Sequence, residues 1–306
     1  MAPHGSAPAG APPPEGDTVS LEQLLAETRG RLAGMAVENA AAEAAWILAE
    51  VTGLPVAELA LAQDKPATVR QVARLDSLVA RRLAGEPLQY VLGSWGFRGL
   101  DLAVDARALI PRPETEAVVE VALGELDRLV DEGRREPLAV DLGTGTGAIG
   151  LSLAAERPRV RVIATDVSAD ALALARANLA GLGQGAQRVR LVHGRWWQAL
   201  DPSLAGSIDL VVSNPPYVPD GAPLPEQVAA WEPEGALRAG PDGLADLRVI
   251  VSGAHRWLAP RGALVVEMGE EQGAALMAMA DEAGLVDAAV RPDLAGRPRA
   301  MVARQP

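Results

Sequence analysis

The stretch LAVDLGTGTGAIGLSLAAE, residues 138–156, reads as a strand, a glycine-spaced turn and a helix in immediate succession. The turn is Gly143, Thr144, Gly145, Thr146 and Gly147. Residues without a Cβ turn tightly and let a ligand lie against the backbone, and the helix that follows begins with unpaired N–H groups. Alone this is a weak signal, because dinucleotide-binding folds use a related loop. Two carboxylates shift the balance. Asp141 precedes the first glycine by two positions and suits a cationic or amine-bearing ligand better than a pyrophosphate. Asp166 ends the next strand, where a carboxylate accepts hydrogen bonds from both hydroxyls of a ribose. Both an adenosylmethionine and a nicotinamide cofactor would use Asp166, and Asp141 favours the first.

Outward from this stretch, strand and helix alternate. Strands are expected at residues 138–142, 160–165, 189–193, 208–213, 263–268, 285–290 and 299–303, with helices near 147–156, 169–182, 243–258 and 270–283. Such alternation predicts an α/β, Rossmann-like domain with a mostly parallel seven-stranded sheet covered on both faces. Ligands of such sheets sit at the carboxyl ends of the strands, where the informative residues fall.

The strand at residues 208–213 runs into Asn214, Pro215, Pro216 and Tyr217. Two prolines fix the backbone and remove two donors, while their carbonyls and the Asn214 amide oxygen stay available as acceptors. A planar NH₂ group is a poor nucleophile because its lone pair is delocalised, as in a peptide bond. If Asn214 and the Pro215 carbonyl accept its two N–H bonds, they orient the nitrogen, and the Tyr217 ring covers the flat group. With the methyl donor in line, much of the catalysis is positioning. No strong general base is needed, so His193 and His255 are not required as bases. The combination predicts methyl transfer to a carboxamide or exocyclic amine, and an adenine would satisfy it as well as an amide.

The flanking chain bounds the rest. Residues 1–17 are Pro, Gly and Ala with almost no bulky apolar residue, which predicts a disordered tail. Residues 18–88 read as a small helical domain, with Ser20 and Gln23 placed for a capping box, and residues 89–112 as a hairpin linker turning at Gly99. The catalytic domain would be residues 113–306. The net charge of −12 argues against standing nucleic-acid binding. No apolar run is long enough for a bilayer, and the N-terminus lacks signal-peptide order. With no cysteine there are no disulfides, thiolate zinc sites or cysteine nucleophiles, and no metal centre is expected. A cytoplasmic enzyme fits best.

The segment GEPLQYVLGSWGFRGLDLAVDARALIPRPETE, residues 85–116, together with DLGTGTGAIGLSLA, the aspartate of ATDVS and SNPPYVP, resembles the peptide chain release factor glutamine methyltransferases (the HemK/PrmC family). The resemblance covers nearly the whole chain after the tail. It implies that Gly143, Thr144, Gly145, Thr146 and Gly147 wrap S-adenosyl-L-methionine, that Asp166 holds its ribose, and that Trp196 or the adjacent Trp197 packs near the adenine. Asn214, Pro215, Pro216 and Tyr217 would hold the substrate glutamine, Phe97 is a candidate second wall of that pocket, and residues 110–116 would close over the site. The implied acceptor is the glutamine of the Gly-Gly-Gln loop in class I release factors, the helical domain contacting the rest of that partner, with S-adenosyl-L-homocysteine as the other product. A monomer that holds neither nucleic acid nor membrane is expected. The proline-rich tail departs from the family pattern. The rival readings are an N6-adenine methyltransferase acting on DNA or RNA, a nicotinamide-dependent oxidoreductase, and an adenosylmethionine-binding module without catalysis.

Overall fold

A computed structural model describes residues 18–34 and 39–306. The tail read as disordered, residues 1–17, lies outside the described residues. The chain forms two compact units, one ending at Leu92 and the other beginning at Gly93.

The first unit is helical. α1 (Leu21–Ala33) opens on the capping box foreseen from Ser20 and Gln23, each side chain bonding the other's backbone N–H at 3.2 and 2.9 Å. α2 (Ala40–Thr52) stops at Gly53, whose left-handed backbone (φ 71°) ends a helix without steric cost. α3 (Val56–Leu59) is one turn, and α4 (Val69–Leu83) opens on a second capping box, Thr68 with Gln71. Leu24, Leu32, Ile47, Leu48, Leu75 and Val79 form the core between these helices. Residues 89–92, expected to open the hairpin linker, instead complete α5 (Leu88–Leu92), in which Leu88, Tyr90 and Val91 are buried. The helix holds because the Val91 amide finds the Pro87 carbonyl at 3.0 Å, a local bond that outweighs the alternating pattern.

The second unit begins with a hairpin of β1 (Ser94–Phe97) and β2 (Leu100–Ala103), paired Phe97 to Leu100 across the two-residue turn Arg98-Gly99. Both turn residues have positive φ, 45° and 78°, the geometry whose twist matches that of the strands. Arg98 tolerates it because its guanidinium is held by Glu156 at 2.6 Å and Glu120 at 2.9 Å, and its amide by Glu116.

After α6 (Thr115–Asp131) come β3 (Leu138–Leu142), α7 (Ala148–Glu156), β4 (Arg161–Asp166), α8 (Ala169–Ala180), β5 (Val189–His193) and β6 (Ile208–Ser213). The chain closes with α9 (Glu226–Trp231), α10 (Ala245–Trp257), β7 (Leu258–Glu267), α11 (Gly273–Glu282), β8 (Val286–Pro292) and β9 (Pro298–Arg304). The seven strands lie in the order β5-β4-β3-β6-β7-β9-β8. The first five in that order run parallel, and β9 is antiparallel to both its neighbours. The expected α/β architecture is therefore present. β7 starts five residues earlier than its apolar run suggested, passing through the irregular pairing near Ile208.

Alternation along β3 sorts its side chains. Ala139 joins the core beneath α6 and α7, with Val118, Leu123 and Leu153, whereas Leu138, Val140 and Leu142 join that beneath α10 and α11, with Leu247, Ile250 and Leu276. Each fully buried Leu, Ile or Val contributes roughly 1.5–3 kcal/mol of transfer free energy. β3 lies between β4 and β6 with Leu142 level with Thr165 and Ser213. The loops at residues 143–147, 166–168 and 214–217 consequently emerge side by side at the carboxyl edge, at the switch point where strand order reverses.

Candidate active site

A cavity of about 450 Å³ opens at that edge, lined among others by Gly143, Thr144, Gly145, Thr146, Asp166, Trp196, Asn214 and Pro216. Its floor is the glycine loop. Gly143, Gly145 and Gly147 have φ of 75°, 57° and 90°, so an L-residue would be strained at each. The Gly143 and Thr144 amides both bond the Thr165 carbonyl, at 2.9 and 2.8 Å, stitching the loop to the end of β4.

Asp166 forms one wall. Its Oδ2 accepts from the Gly145 amide at 2.9 Å and its Oδ1 from the Ser168 amide at 2.8 Å. A carboxylate has about four lone-pair sites, so each oxygen keeps acceptor capacity toward the cavity. Burial raises its pKa above the ordinary carboxylate range, opposed by those backbone bonds.

Asp141 does not face the cavity, contrary to the expectation that it meets a cationic ligand. It shares the Ala139 face of β3, which puts it beneath α7, fully buried. Its Oδ2 accepts from the Thr144 hydroxyl at 2.6 Å and the Gly150 amide at 2.9 Å, tying the turn to the first part of the helix. Gly150 is small for this reason: a Cβ there would stand 3.0 Å from that oxygen. Burial pushes the Asp141 carboxyl up to about 6.

Trp196 and Trp197 part ways. Trp196, held at φ 46°, lines the cavity with its ring against the loop: a Cβ on Gly143 would meet the ring at 3.0 Å. Its Nε1 donates to Asp246 Oδ1 at 2.9 Å, and Arg195 reaches the same oxygen at 3.0 Å. Trp197 turns to the core, stacks on Trp257 at 6.0 Å between centroids and donates to the Val249 carbonyl. Asp246 was not foreseen, because an Asp in a first helical turn ordinarily reads as a complement to the helix dipole.

At the opposite wall, Asn214 Nδ2 donates to the Thr115 hydroxyl at 3.2 Å, and Thr115 donates to Glu267 Oε2 at 2.7 Å. Tyr217, half-buried, donates its hydroxyl to Glu267 Oε1 at 3.3 Å, and burial raises its phenol well above the usual range, so it stays protonated. Of the Asn-Pro-Pro-Tyr element, Asn214 and Pro216 line the cavity. Thr115 falls within residues 110–116, the segment expected over the site, but its bond to Asn214 was not foreseen, and Glu267 was missed. The signal available was a carboxylate closing the apolar run ALVVE.

Residues 107–112 and 233–238 supply further lining, including Arg107, Arg112 and Arg238. Glu232, 7 % exposed, joins the two segments by accepting from the Ile110 amide at 3.3 Å and pairing with Arg112. Phe97 is not a wall of this cavity. At 2 % exposure it packs in the core with Leu102, Val118 and Leu151, because the residue before the hairpin turn points inward under α6. Among the described residues no single helix is long and apolar enough to cross a membrane.

The donor set suits S-adenosylmethionine: backbone N–H groups at a helix start, acceptors for a ribose diol, an aromatic face for a base, and room for a drug-sized ligand. Residues 23–93 match the PrmC N-terminal domain and residues 126–229 the methyltransferase small domain. The chain is 43 % identical over 270 residues to the release factor glutamine methyltransferase of Burkholderia pseudomallei, covering 87 % of this chain and 92 % of that protein. It is 38 % identical to that of Geobacter sulfurreducens, covering 88 % and 90 %, and 35 % identical to that of Rhodospirillum rubrum, covering 98 % and 89 %. Among solved structures, the hMettl16 catalytic domain in complex with a MAT2A 3′UTR hairpin has a TM-score of 0.51 at 16 % identity, covering 77 % of this chain and 81 % of that one. At that identity the likeness is one of fold.

Proposed function

Since this chain belongs to the release factor glutamine methyltransferase family, we propose that it methylates the side-chain amide nitrogen of the glutamine in the Gly-Gly-Gln loop of class I release factors. The observation that carries the reading is the convergence, in one cavity, of the glycine loop, Asp166 and the Asn214 carboxamide. When bound, S-adenosylmethionine supplies an electrophilic methyl group, and S-adenosylhomocysteine remains after transfer.

The chain's own residues bind and orient. The Cβ-free backbone of the loop lies close against the cofactor, Asp166 accepts from its ribose hydroxyls, and the Trp196 ring lies against its base. Asn214 Oδ1 and the Pro215 carbonyl accept the two N–H bonds of the incoming carboxamide, turning its nitrogen toward the methyl group. Pro216 and Tyr217 enclose its flat faces. Orientation of this kind contributes several kcal/mol by converting an encounter into an in-line approach. The proton leaving nitrogen needs no strong base, and the neutral Tyr217 phenol is not one. A glycine-rich loop is narrow and pliant enough to enter such a pocket. The reading includes a cytoplasmic site of action, a monomeric enzyme, and no standing hold on nucleic acid or membrane, in keeping with the net charge of −12.

The test is transfer of a labelled methyl group to purified release factor. Label is expected on the wild-type factor and absent when its acceptor Gln is changed to Ala. Label on an adenine-containing oligonucleotide and none on release factor would overturn the reading.

A further inference from the structure

Behind Asn214 stand Thr115 and Glu267, from two distant segments, and Tyr217 of its own loop, and their hydrogen bonds run in one direction. Glu267, ending β7, is 1 % exposed, and its two oxygens accept from Thr115 at 2.7 Å and Tyr217 at 3.3 Å. A hydroxyl has one proton. With that proton committed to Glu267, Thr115 Oγ1 meets Asn214 only as an acceptor, and it takes the Nδ2–H at 3.2 Å. The nitrogen end of the carboxamide is thereby turned to Thr115, and the oxygen end is left for an incoming N–H.

We propose that Glu267 and Thr115 are positioning residues for methyl transfer: acting through Thr115, the Glu267 carboxylate fixes which way the Asn214 amide faces, so that Oδ1 meets the substrate nitrogen. This rests on the reading of Asn214 as acceptor for the substrate amide. A carboxamide is nearly the same shape when its oxygen and nitrogen are exchanged, so packing does not discriminate between the two. The flipped amide would present NH₂ to NH₂, two donors with no acceptor between them, and the nitrogen would lose its orientation.

The relay depends on Glu267 being ionised. Around it stand Thr115, Tyr217, Arg299 and Glu114. Burial, the largest influence, pushes its carboxyl up to about 7, against the Thr115 bond and the Arg299 charge, and Glu114 adds to the rise. Above that pH Glu267 only accepts. Below it the protonated carboxyl donates to Thr115 Oγ1, and the freed Thr115 proton turns to the Asn214 carboxamide and draws its oxygen away from the cavity. Turnover therefore rises with pH through the Glu267 transition.

Steady-state kinetics of the full chain on release factor, over roughly pH 5 to 9, tests the proposal, with S-adenosylhomocysteine affinity measured on the same preparations. Thr115→Val is expected to lower kcat roughly tenfold, one hydrogen bond's worth, with cofactor affinity changed less than about threefold. Thr115→Ser, which keeps the hydroxyl, regains most of that loss. Glu267→Gln, which cannot titrate, lowers kcat and loses the low-pH limb. Wild-type kcat in Thr115→Val, or a low-pH limb that survives in Glu267→Gln, would overturn the proposal while leaving the release-factor reading intact. Failure of the wild type to methylate release factor would remove that reading instead.

Discussion

Replacing Gly143 by Ala separates two things the glycine does. Its φ of 75° is left-handed, and a Cβ would lie 3.0 and 3.3 Å from two carbons of the Trp196 ring. An L-residue in the left-handed region costs about 1–2 kcal/mol, and lower entropy of the unfolded chain returns about 0.4–1 kcal/mol of it. The ring cannot simply withdraw, because Nε1 is bonded to Asp246 at 2.9 Å, and overpacking of this kind costs about a further 1–3 kcal/mol. The net expectation is about 3 kcal/mol of lost stability, or a fall in Tm of roughly 6–12 °C for a domain of this size. Gly206→Ala is the control: its φ is 71°, yet nothing stands within 4 Å of its Cβ, so it carries the backbone strain alone. Thermal unfolding should place both variants below wild type, with Gly143→Ala lower. Calorimetric titration with S-adenosylhomocysteine should show roughly tenfold weaker binding in Gly143→Ala alone, since about 1.4 kcal/mol of ring displacement is a factor of ten. Unchanged affinity in Gly143→Ala would refute the idea that the loop and the Trp196 ring form one binding surface.

Two further outcomes follow from the carboxylates. Asp166→Ala should weaken S-adenosylhomocysteine roughly a hundredfold, two charge-assisted hydrogen bonds being lost, and an unchanged dissociation constant would refute the ribose role. Asp141 carries a sign that can be worked out: its folded pKa of about 6 stands above the ordinary 3.8. The folded form thus binds the proton more tightly, so the stability it contributes is fully present below 3.8 and lost as pH rises through 6. About two pKa units at ~1.36 kcal/mol each amounts to roughly 3 kcal/mol across that window. The unfolding free energy of wild type minus that of Asp141→Asn should rise as pH falls from about 7 to about 4. Parallel curves would show that the buried carboxyl titrates normally.

The sequence by itself determined the elements that rest on local rules. Glycines spaced for positive φ marked the turn after β3, short apolar runs broken by Asp141 and Asp209 marked β3 and β6, and Ser20 with Gln23 marked the start of α1, because each depends on residues a few positions apart. The Asn-Pro-Pro-Tyr element was legible for the same reason: its chemistry lies in consecutive residues. What only the tertiary structure decided was direction and company. Asp141 faces α7 and not the cavity because alternation along β3 puts it with Ala139 on that face. Trp196 faces the cavity and Trp197 the core because their partners, Asp246 and Trp257, stand at opposite ends of α10. Phe97 went inward because a two-residue turn set the hairpin's register. Thr115 and Glu267 stand 152 residues apart in the chain. Their link to Asn214 exists only because the sheet order lays β7 beside β6, a pairing no local window contains.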